Sequence, residues 1–294
     1  MRFNEGMNAD IGILADIHGN LPALEAALSF LQERHVDKIL FLGDLITDGA
    51  CPAQCLVRIR SLQTVFPCRV IRGNREEYIL ARRGGGMRQW HYGSSASGSL
   101  LYTYDCLREE DFAWLEQLDN HGVLVIPGLP PLAYCHGSME HTCTLLEAGS
   151  PEAREELENT PYPIIAAGHT HRQGTICLNG RKIVNPGSLG VPAGSGGRCQ
   201  LAILHGDGNG WREELVQLEY DKQKAVRQME EAHLFERAGM WAQAVKATVL
   251  YGADPYQDLI HTAEEISRQH GGCGVWADIE EEYAREAGRR LHLI

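Results

Sequence analysis

Five short motifs along the chain carry side chains that bind metal ions: Asp16-Ile17-His18, Gly43-Asp44, Gly73-Asn74, His136-Gly137 and Gly168-His169-Thr170-His171. Each follows an apolar run, where a strand would stop. Asp16 and His18 alternate by two, so at a strand end entering a loop both can turn to one ion. The Asp44 carboxylate has two oxygens and can bridge two ions. Asn74 offers a neutral amide oxygen, and His136, His169 and His171 offer imidazoles suited to Mn, Fe, Zn or Ni. Seven such ligands suffice for two divalent ions, and two ions in one cleft point to hydrolysis at phosphorus. Each motif also has an ordinary explanation. Asp16 could cap a helix, Asp44 could hold a turn before Gly49, and Gly73-Asn74 could be a turn. His136 could sit in the core, and 168–171 could be a plain loop. Their ordered co-occurrence is what favours the metal reading.

The elements that must position these residues follow from the hydrophobic pattern. Ile11 to Ala15, Lys38 to Leu42 and Arg69 to Arg72 read as strands ending at Asp16, Gly43-Asp44 and Gly73-Asn74. Between them, Pro22 to Glu33 and Gln54 to Ser61 read as helices, the first with Leu24, Ala27, Leu28 and Leu31 at spacings of three and four. Steps of about 30 residues between strand ends match βαβ units. Open α/β sheets bind ligands beyond the carboxyl ends of their strands. Residues 83–99 are rich in Gly and Ser and read as a mobile loop or lid, or equally as an exposed connector. A helix is expected from Leu107 to Leu118, with Asp111 near its first turn.

From Val123 the pattern changes to short strands: Leu132 to Cys135, Ile164 to Ala167, Thr175 to Leu178, Lys182 to Val184, Leu201 to Leu204 and Glu213 to Leu218. Asn179-Gly180 is a type I′ hairpin signal. Parallel βαβ units followed by antiparallel hairpins predict two packed sheets with helices outside. After Tyr220 the composition turns helical, with segments expected at 222–250, 255–269 and 278–291, the last capped by Asp278. The division expected is a domain over 1–220 and a helical appendage over 221–294. That appendage could cap the site, contact a second copy of the chain, or cover a sheet edge.

Composition narrows the function. The net charge of -12 repels long polyanions, so a small phosphorylated substrate is expected rather than long nucleic acid. Two divalent ions would keep the site locally positive against the Asp16 and Asp44 carboxylates. The nine cysteines are scattered without a Cys-x-x-Cys pair, which suits a cytoplasmic protein better than a secreted one and disfavours a thiolate zinc site. No apolar run reaches the length of about 18 residues needed to span a membrane. Residues 1–10 read as a short polar tail rather than a signal peptide, with Met7 a second possible start.

The ordered series Asp-x-His, Gly-Asp, Gly-Asn, His, Gly-His-x-His resembles the calcineurin-like metallophosphoesterase superfamily over about residues 10–220. The opening Asp16-Ile17-His18-Gly19-Asn20-Leu21 and the later Asn185-Pro186-Gly187-Ser188 are similar to its small bacterial and archaeal branch. The resemblance implies a four-layer α/β/β/α sandwich. It implies one ion held by Asp16, His18, Asp44 and His171 and a second by Asp44, Asn74, His136 and His169. A hydroxide bridging the ions would attack phosphorus.

Two positions depart from the family pattern. Many members carry a histidine after the Gly-Asn pair that protonates the leaving group, whereas this chain reads Gly73-Asn74-Arg75-Glu76. Arginine cannot act as a general acid, but its fork can grip phosphate oxygens, unless it points away and pairs with Glu76, Glu77 or a helix carboxylate. Asp44, Asn74 and Arg75 are therefore the expected catalytic residues, and Asn20, Arg75 and His91 the expected substrate contacts. His91 or His141 could supply the missing proton. Otherwise leaving groups that depart as stable anions are favoured: aryl esters and diesters, or phosphoanhydrides such as dinucleoside polyphosphates. The stretch after Ser188 also lacks the early arginine common in that branch. A phosphodiesterase or phosphatase is expected. Dinucleoside polyphosphate hydrolysis, a nuclease activity and a non-catalytic binding scaffold are the alternatives, and self-association is possible.

Overall fold

The computed structural model of the protein describes residues 8–86 and 89–294. The first sheet has the strand order β10-β9-β1-β2-β3. Its strands β1 (Ala9–Leu14), β2 (Lys38–Phe41) and β3 (Cys68–Val70) run parallel, with β3 at the edge. The hairpin of β9 (Cys199–Asp207) and β10 (Gly210–Leu218) joins β1 antiparallel. The second sheet has the order β4-β5-β6-β8-β7. It comprises β4 (His121–Leu124), β5 (Leu132–Cys135), β6 (Ile164–Ala167), β7 (Gly174–Leu178) and β8 (Arg181–Asn185).

Strand periodicity explains the layering. Ile11, Ile13, Leu40 and Leu42 face Leu132, Tyr134, Ile164 and Ala166 across the space between the sheets. Their neighbours Leu14, Ile39 and Phe41 turn outward to α1 (Leu21–Glu33) and α2 (Pro52–Gln63). On the other side Ala133, Cys135, Ile165 and Ala167 meet α6 (Pro151–Asn159). Strands buried on both faces must be apolar at every position, which is why they read as continuous runs. The result is the α/β sandwich expected from the sequence, with one correction to its second half. There β5, β6 and β8 are parallel, and the β9–β10 hairpin returns to the first sheet. The Asn179-Gly180 turn has φ of +50° and +77°, as a type I′ turn requires.

Several boundaries differ. Ala9 and Asp10 belong to β1, and the remainder of the expected tail, residues 1–7, lies outside the described residues. Helices α3 (Asn74–Arg83), α4 (Gly98–Cys106) and α6 were not expected. α3 buries only Asn74, Glu76 and Ile79, so it lacks an apolar stripe to read. α5 covers Glu109–Leu115, with the Asp111 carboxylate accepting the Arg108 N–H at 2.9 Å. The single helix expected over 222–250 is three: α7 (Lys222–Glu231), α8 (Leu234–Arg237) and α9 (Gly239–Tyr251). The chain breaks at His233, φ +54°, and at Gly239, φ +50°, where a Cβ would lie 2.3 Å from a Glu281 carboxylate oxygen. α10 (Tyr256–Gln269) and α11 (Glu281–Arg290) follow. Asp278 lies in a short 3-10 turn, and Glu280 takes the cap position of α11.

These C-terminal helices share apolar contacts of their own, Met240 and Ala244 with Leu259, Ala263 and Ala287. They also pack on the sandwich: Val226, Leu234 and Val245 cluster with Tyr102 of α4 and with Val191. Among the described residues no helix is long and apolar enough to cross a membrane. All nine cysteines are free.

Candidate metal centre

The parallel strands of both sheets end at one edge of the sandwich, and the metal-binding motifs follow those ends. Two groups of ligand atoms form there, Asp16 with His18 and His171, and Asp44 with His136 and His169, each within 4.8 Å of one another. Each group therefore takes residues from both sheets. The groups adjoin through Asp44, whose Oδ2 lies 3.8 Å from His18 Nε2 and whose Oδ1 lies 3.4 Å from His136 Nε2. Asn74 joins the second group, its Oδ1 3.0 Å from His136 Nε2.

Backbone strain accompanies this convergence. Asp16, His18, Asp44, His169 and His171 all have positive φ, between 48° and 68°. Side chains other than glycine rarely adopt that region, and each instance costs on the order of 1–3 kcal/mol. The turns are held by specific contacts. Gly43, φ +87°, lies so near the next loop that a Cβ would be 2.4 Å from the Gly73 nitrogen. A Cβ on Gly73 would be 2.2 Å from Asp44 Oδ1. Glycine is thus required on both sides of this approach. Glu76 accepts the N–H groups of Gly73, Asp44, Leu45 and Ile46 at 2.7–3.3 Å and ties the two loops together. Burial and the nearby Asp44 charge push the Glu76 carboxyl up to about 7, while those backbone donors pull it down. Asn185 donates to the Gly168 carbonyl at 2.7 Å, and Ser188 donates to the Asp16 carbonyl at 2.9 Å. The Asn-Pro-Gly-Ser segment thereby fixes the first and last ligand loops against each other.

The donor set fits cations. His136 Nδ1–H donates to the Leu42 carbonyl at 2.7 Å. Neutral His136 then turns a lone pair toward Asn74 Oδ1, acceptor against acceptor, unless a cation lies against both. His18 Nδ1 faces Asp48 Oδ2 and Thr47 Oγ1, each at 3.3 Å, which leaves its Nε2 for the cluster. That Nε2 is 3.1 Å from His171 Nε2. Nitrogen ligands about 2.1 Å from a shared ion lie roughly 3.0–3.4 Å apart. Asp16 Oδ1 is buried without a hydrogen-bond partner among the described residues, 3.3 Å from His171 Nε2. A buried carboxylate oxygen left so is explained by an ion.

Electrostatics agree. Burial would raise the Asp44 carboxyl, but His136, His18 and Arg75 outweigh it and hold it well below the carboxylate range. Burial opposes charge on His136, yet Asp44 and Asp16 push it up to about 10. A proton there supplies positive charge that the two buried carboxylates demand. His169 is pushed down to about 4 by burial and His136, so it is neutral and able to donate a lone pair.

A cleft of about 500 Å³ opens over these residues, lined by Asp44, Asn74, His169 and His171 at one end. Arg75 lines it too. Its guanidinium is 3.5 Å from Asp48 and lies over the Trp241 ring at 5.6 Å, so its partner is Asp48 rather than Glu76 or Glu77. Asp48 had no role in the sequence reading. It accepts from Ser99 Oγ at 3.0 Å and Trp241 Nε1 at 2.8 Å while facing His18 and Arg75. Its one sequence signal is its place in Gly-Asp-Leu-Ile-Thr-Asp-Gly, four residues after Asp44. Glu76 could have been found from its spacing three residues after Gly73, that of a capping residue. Trp241 and Tyr256, which line the cleft from α9 and α10, carry no such signal.

Two expected contacts lie elsewhere. Asn20 is buried as the cap of α1: its Oδ1 accepts the Ala23 N–H, and its Nδ2 donates to Gly190 and Tyr220. No polar atom remains for a substrate. His91 is exposed, with its Nδ1 on the Tyr92 carbonyl, and does not line the cleft. His141 is also exposed and lines a separate depression with Glu152 and Glu156. The stretch 83–99, apart from Met87 and Arg88, which lie outside the described residues, is not a lid. Gly93 N–H donates to the Arg237 carbonyl, and Ser95 bonds Glu281 and Met240. It straps the C-terminal helices to α4.

Comparison with known proteins agrees with this geometry. Residues 9–209 match the calcineurin-like phosphoesterase superfamily domain. The chain belongs to that superfamily, and its class is that of metal-dependent phosphoester hydrolases. It is 27% identical over 244 residues to an uncharacterized protein of Methanocaldococcus jannaschii, covering 78% of this chain and 95% of that one. A metallophosphoesterase of Sphaerobacter thermophilus has the same fold, with TM-score 0.63 and 24% identity over 84% of this chain and all of that one. A hypothetical protein of Pyrococcus horikoshii has TM-score 0.69 and 22% identity over 83% of this chain and 99% of that one. These shares exceed the span 9–209, so the shared fold extends into the C-terminal helices.

Proposed function

We propose that this protein hydrolyses small phosphate esters at a pair of divalent ions, one held by Asp16, His18, Asp44 and His171 and the other by Asp44, Asn74, His136 and His169. The observation that carries this reading is the Asp44 carboxylate, with one oxygen turned to each ligand group. Such ions polarise phosphoryl oxygens and acidify water so that a nucleophile is available near neutral pH. The chain's own residues do the rest. His18 and His136 are held in one orientation by Asp48 and the Leu42 carbonyl, which keeps Nε2 of each toward the cluster. Arg75, its charge held by Asp48 and Asp44 against burial, grips phosphate oxygens at the mouth of the cleft.

No histidine follows Asn74, and neither His91 nor His141 reaches the cleft. Leaving groups that need no proton, aryl oxides above all, are therefore the preferred ones. The ions are drawn from Mn, Fe, Zn and Ni, whose choice rests on supply as much as on ligand type. Metal analysis of the purified protein, paired with turnover of bis(p-nitrophenyl) phosphate, tests the reading. Two ions per chain and saturable turnover are expected. One ion or none at full activity, or alkyl esters cleaved as fast as aryl esters, would sink it.

A further inference from the structure

Beyond the ion-binding end, the cleft is charged in an unexpected sense. Its two arginines are already engaged, Arg75 by Asp48 at 3.5 Å and Arg172 by Asp254 at 2.9 Å with Glu147 at 3.9 Å. Asp44, Asp48, Glu147 and Asp254 all line the same space, so carboxylates outnumber arginines. A row of phosphates running outward would meet carboxylates and find no unpaired cation. The wall made by α9 and α10 offers different chemistry. Trp241 and Tyr256 contact at 4.9 Å between ring centroids, tilted by 47°, and Val191 and Leu145 add apolar lining. The Tyr256 hydroxyl is buried in the helix packing, so the ring surface is what this residue offers to the cleft.

We propose that Trp241 and Tyr256 form a subsite for an uncharged planar organic group, the second ester substituent of a phosphodiester. This rests on the phosphoesterase reading and refines it, setting diesters above polyphosphates. Apolar ring surface favours a planar group, and the paired arginines disfavour further phosphates. It also gives the C-terminal helices a part in substrate choice.

The test compares kcat/KM for bis(p-nitrophenyl) phosphate with that for methyl p-nitrophenyl phosphate on the Mn-loaded full chain. The leaving group is the same, so the ratio reads the second substituent. Trp241→Leu is expected to lower the ratio about tenfold and Tyr256→Leu about threefold. Tyr251→Ala, on the exposed face of α9, should keep the ratio of the parent. Calorimetric titration supplies a readout apart from turnover: diphenyl phosphate should bind the parent about tenfold more tightly than dimethyl phosphate, and the variants should narrow that gap. Tyr256→Leu decides the matter if Trp241→Leu fails to fold, and Tyr256→Phe, which keeps the ring, should leave the ratio of the parent. Turnover with an unchanged ratio in the leucine variants, or a dinucleoside tetraphosphate outrunning the bis-aryl diester, would overturn the subsite alone. Absence of any phosphoester turnover would remove the underlying reading as well.

Discussion

The cleft has two walls, and they differ in origin and in chemistry. One is the edge of the sandwich, where loops from both sheets bring together two carboxylates, an amide and four imidazoles in a strained, mostly buried cluster. The other comes from α9 and α10 and presents Trp241, Tyr256 and Gln257. The first is over-determined: Glu76, Asn185 and Ser188 each hold its loops through backbone hydrogen bonds. The second reaches the first through Asp48, which takes a hydrogen bond from Trp241 while facing His18 and Arg75, through Arg75 over the Trp241 ring, and through the Arg172–Asp254 pair. Such a division separates chemistry from selection. The reacting end needs fixed ligands, whereas the selecting end can vary without dismantling it.

Substitutions can break or sharpen this contrast. The largest effect is expected from Asp44→Ala, which removes the carboxylate between both ligand groups. Metal content should fall, and kcat should drop on the order of a thousandfold, measured by metal analysis beside steady-state kinetics. Full turnover in that variant would defeat the two-ion reading. Next comes Asp48→Asn, which keeps the shape but removes the charge behind His18. A loss of about 10–100-fold in metal affinity or activity is expected, as for other outer partners of metal-binding histidines. If Trp241→Phe costs as much as Asp48→Asn, the two walls act as one unit rather than two.

Arg75→Lys keeps a cation but loses the planar fork, and KM should rise about tenfold with a smaller change in kcat. A pure kcat effect would count against a phosphate grip. Chelation tests the sandwich wall through stability. An ion at about 100 times its Kd adds about 2.7 kcal/mol, so calorimetric Tm should fall on adding chelator and recover on metal return. An unchanged Tm would argue that Asp16 and Asp44 are satisfied without ions.

The smallest effect is expected far from both walls, at the Arg34–Glu214 pair on the first sheet. Arg34 is the main reason that the Glu214 carboxyl is held down to about 2. A depressed carboxylate contributes stability that is present above its ordinary pKa of 4.5 and is lost as pH falls toward 2. Arg34→Ala should therefore cost a little stability at neutral pH and much less at pH 2, by denaturant titration. The pair is partly exposed and screened, so the change should stay within about 1 kcal/mol.

The sandwich wall was legible because its residues sit at strand ends, and strands buried on both faces announce themselves as apolar runs. Asp16, Asp44 and Asn74 follow β1, β2 and β3 within a few positions, and His136 and His169 follow β5 and β6 in the same way. α3 was not legible, since its start at Asn74 reads as a turn and its exposed faces are charged. Asn20 was misread because a polar residue beside a ligand motif suggests a substrate contact, while its cap position explains it fully. The Gly- and Ser-rich stretch 83–99 suggested mobility. Ser95 is instead consumed by bonds to α9 and α11, partners more than a hundred residues away, and Ser99 by a bond to Asp48.

The sequence by itself determined which side chains can hold ions and the order of the strands that carry them, because ligand chemistry and hydrophobic periodicity are local properties. Only the tertiary structure decided that Arg75 pairs with Asp48, that Asp48 stands behind His18, and that Trp241 and Tyr256 close the far side of the cleft. Those contacts join segments up to about two hundred residues apart. They depend on how helices pack, and packing is specified by shape across the whole chain rather than by any short run of residues.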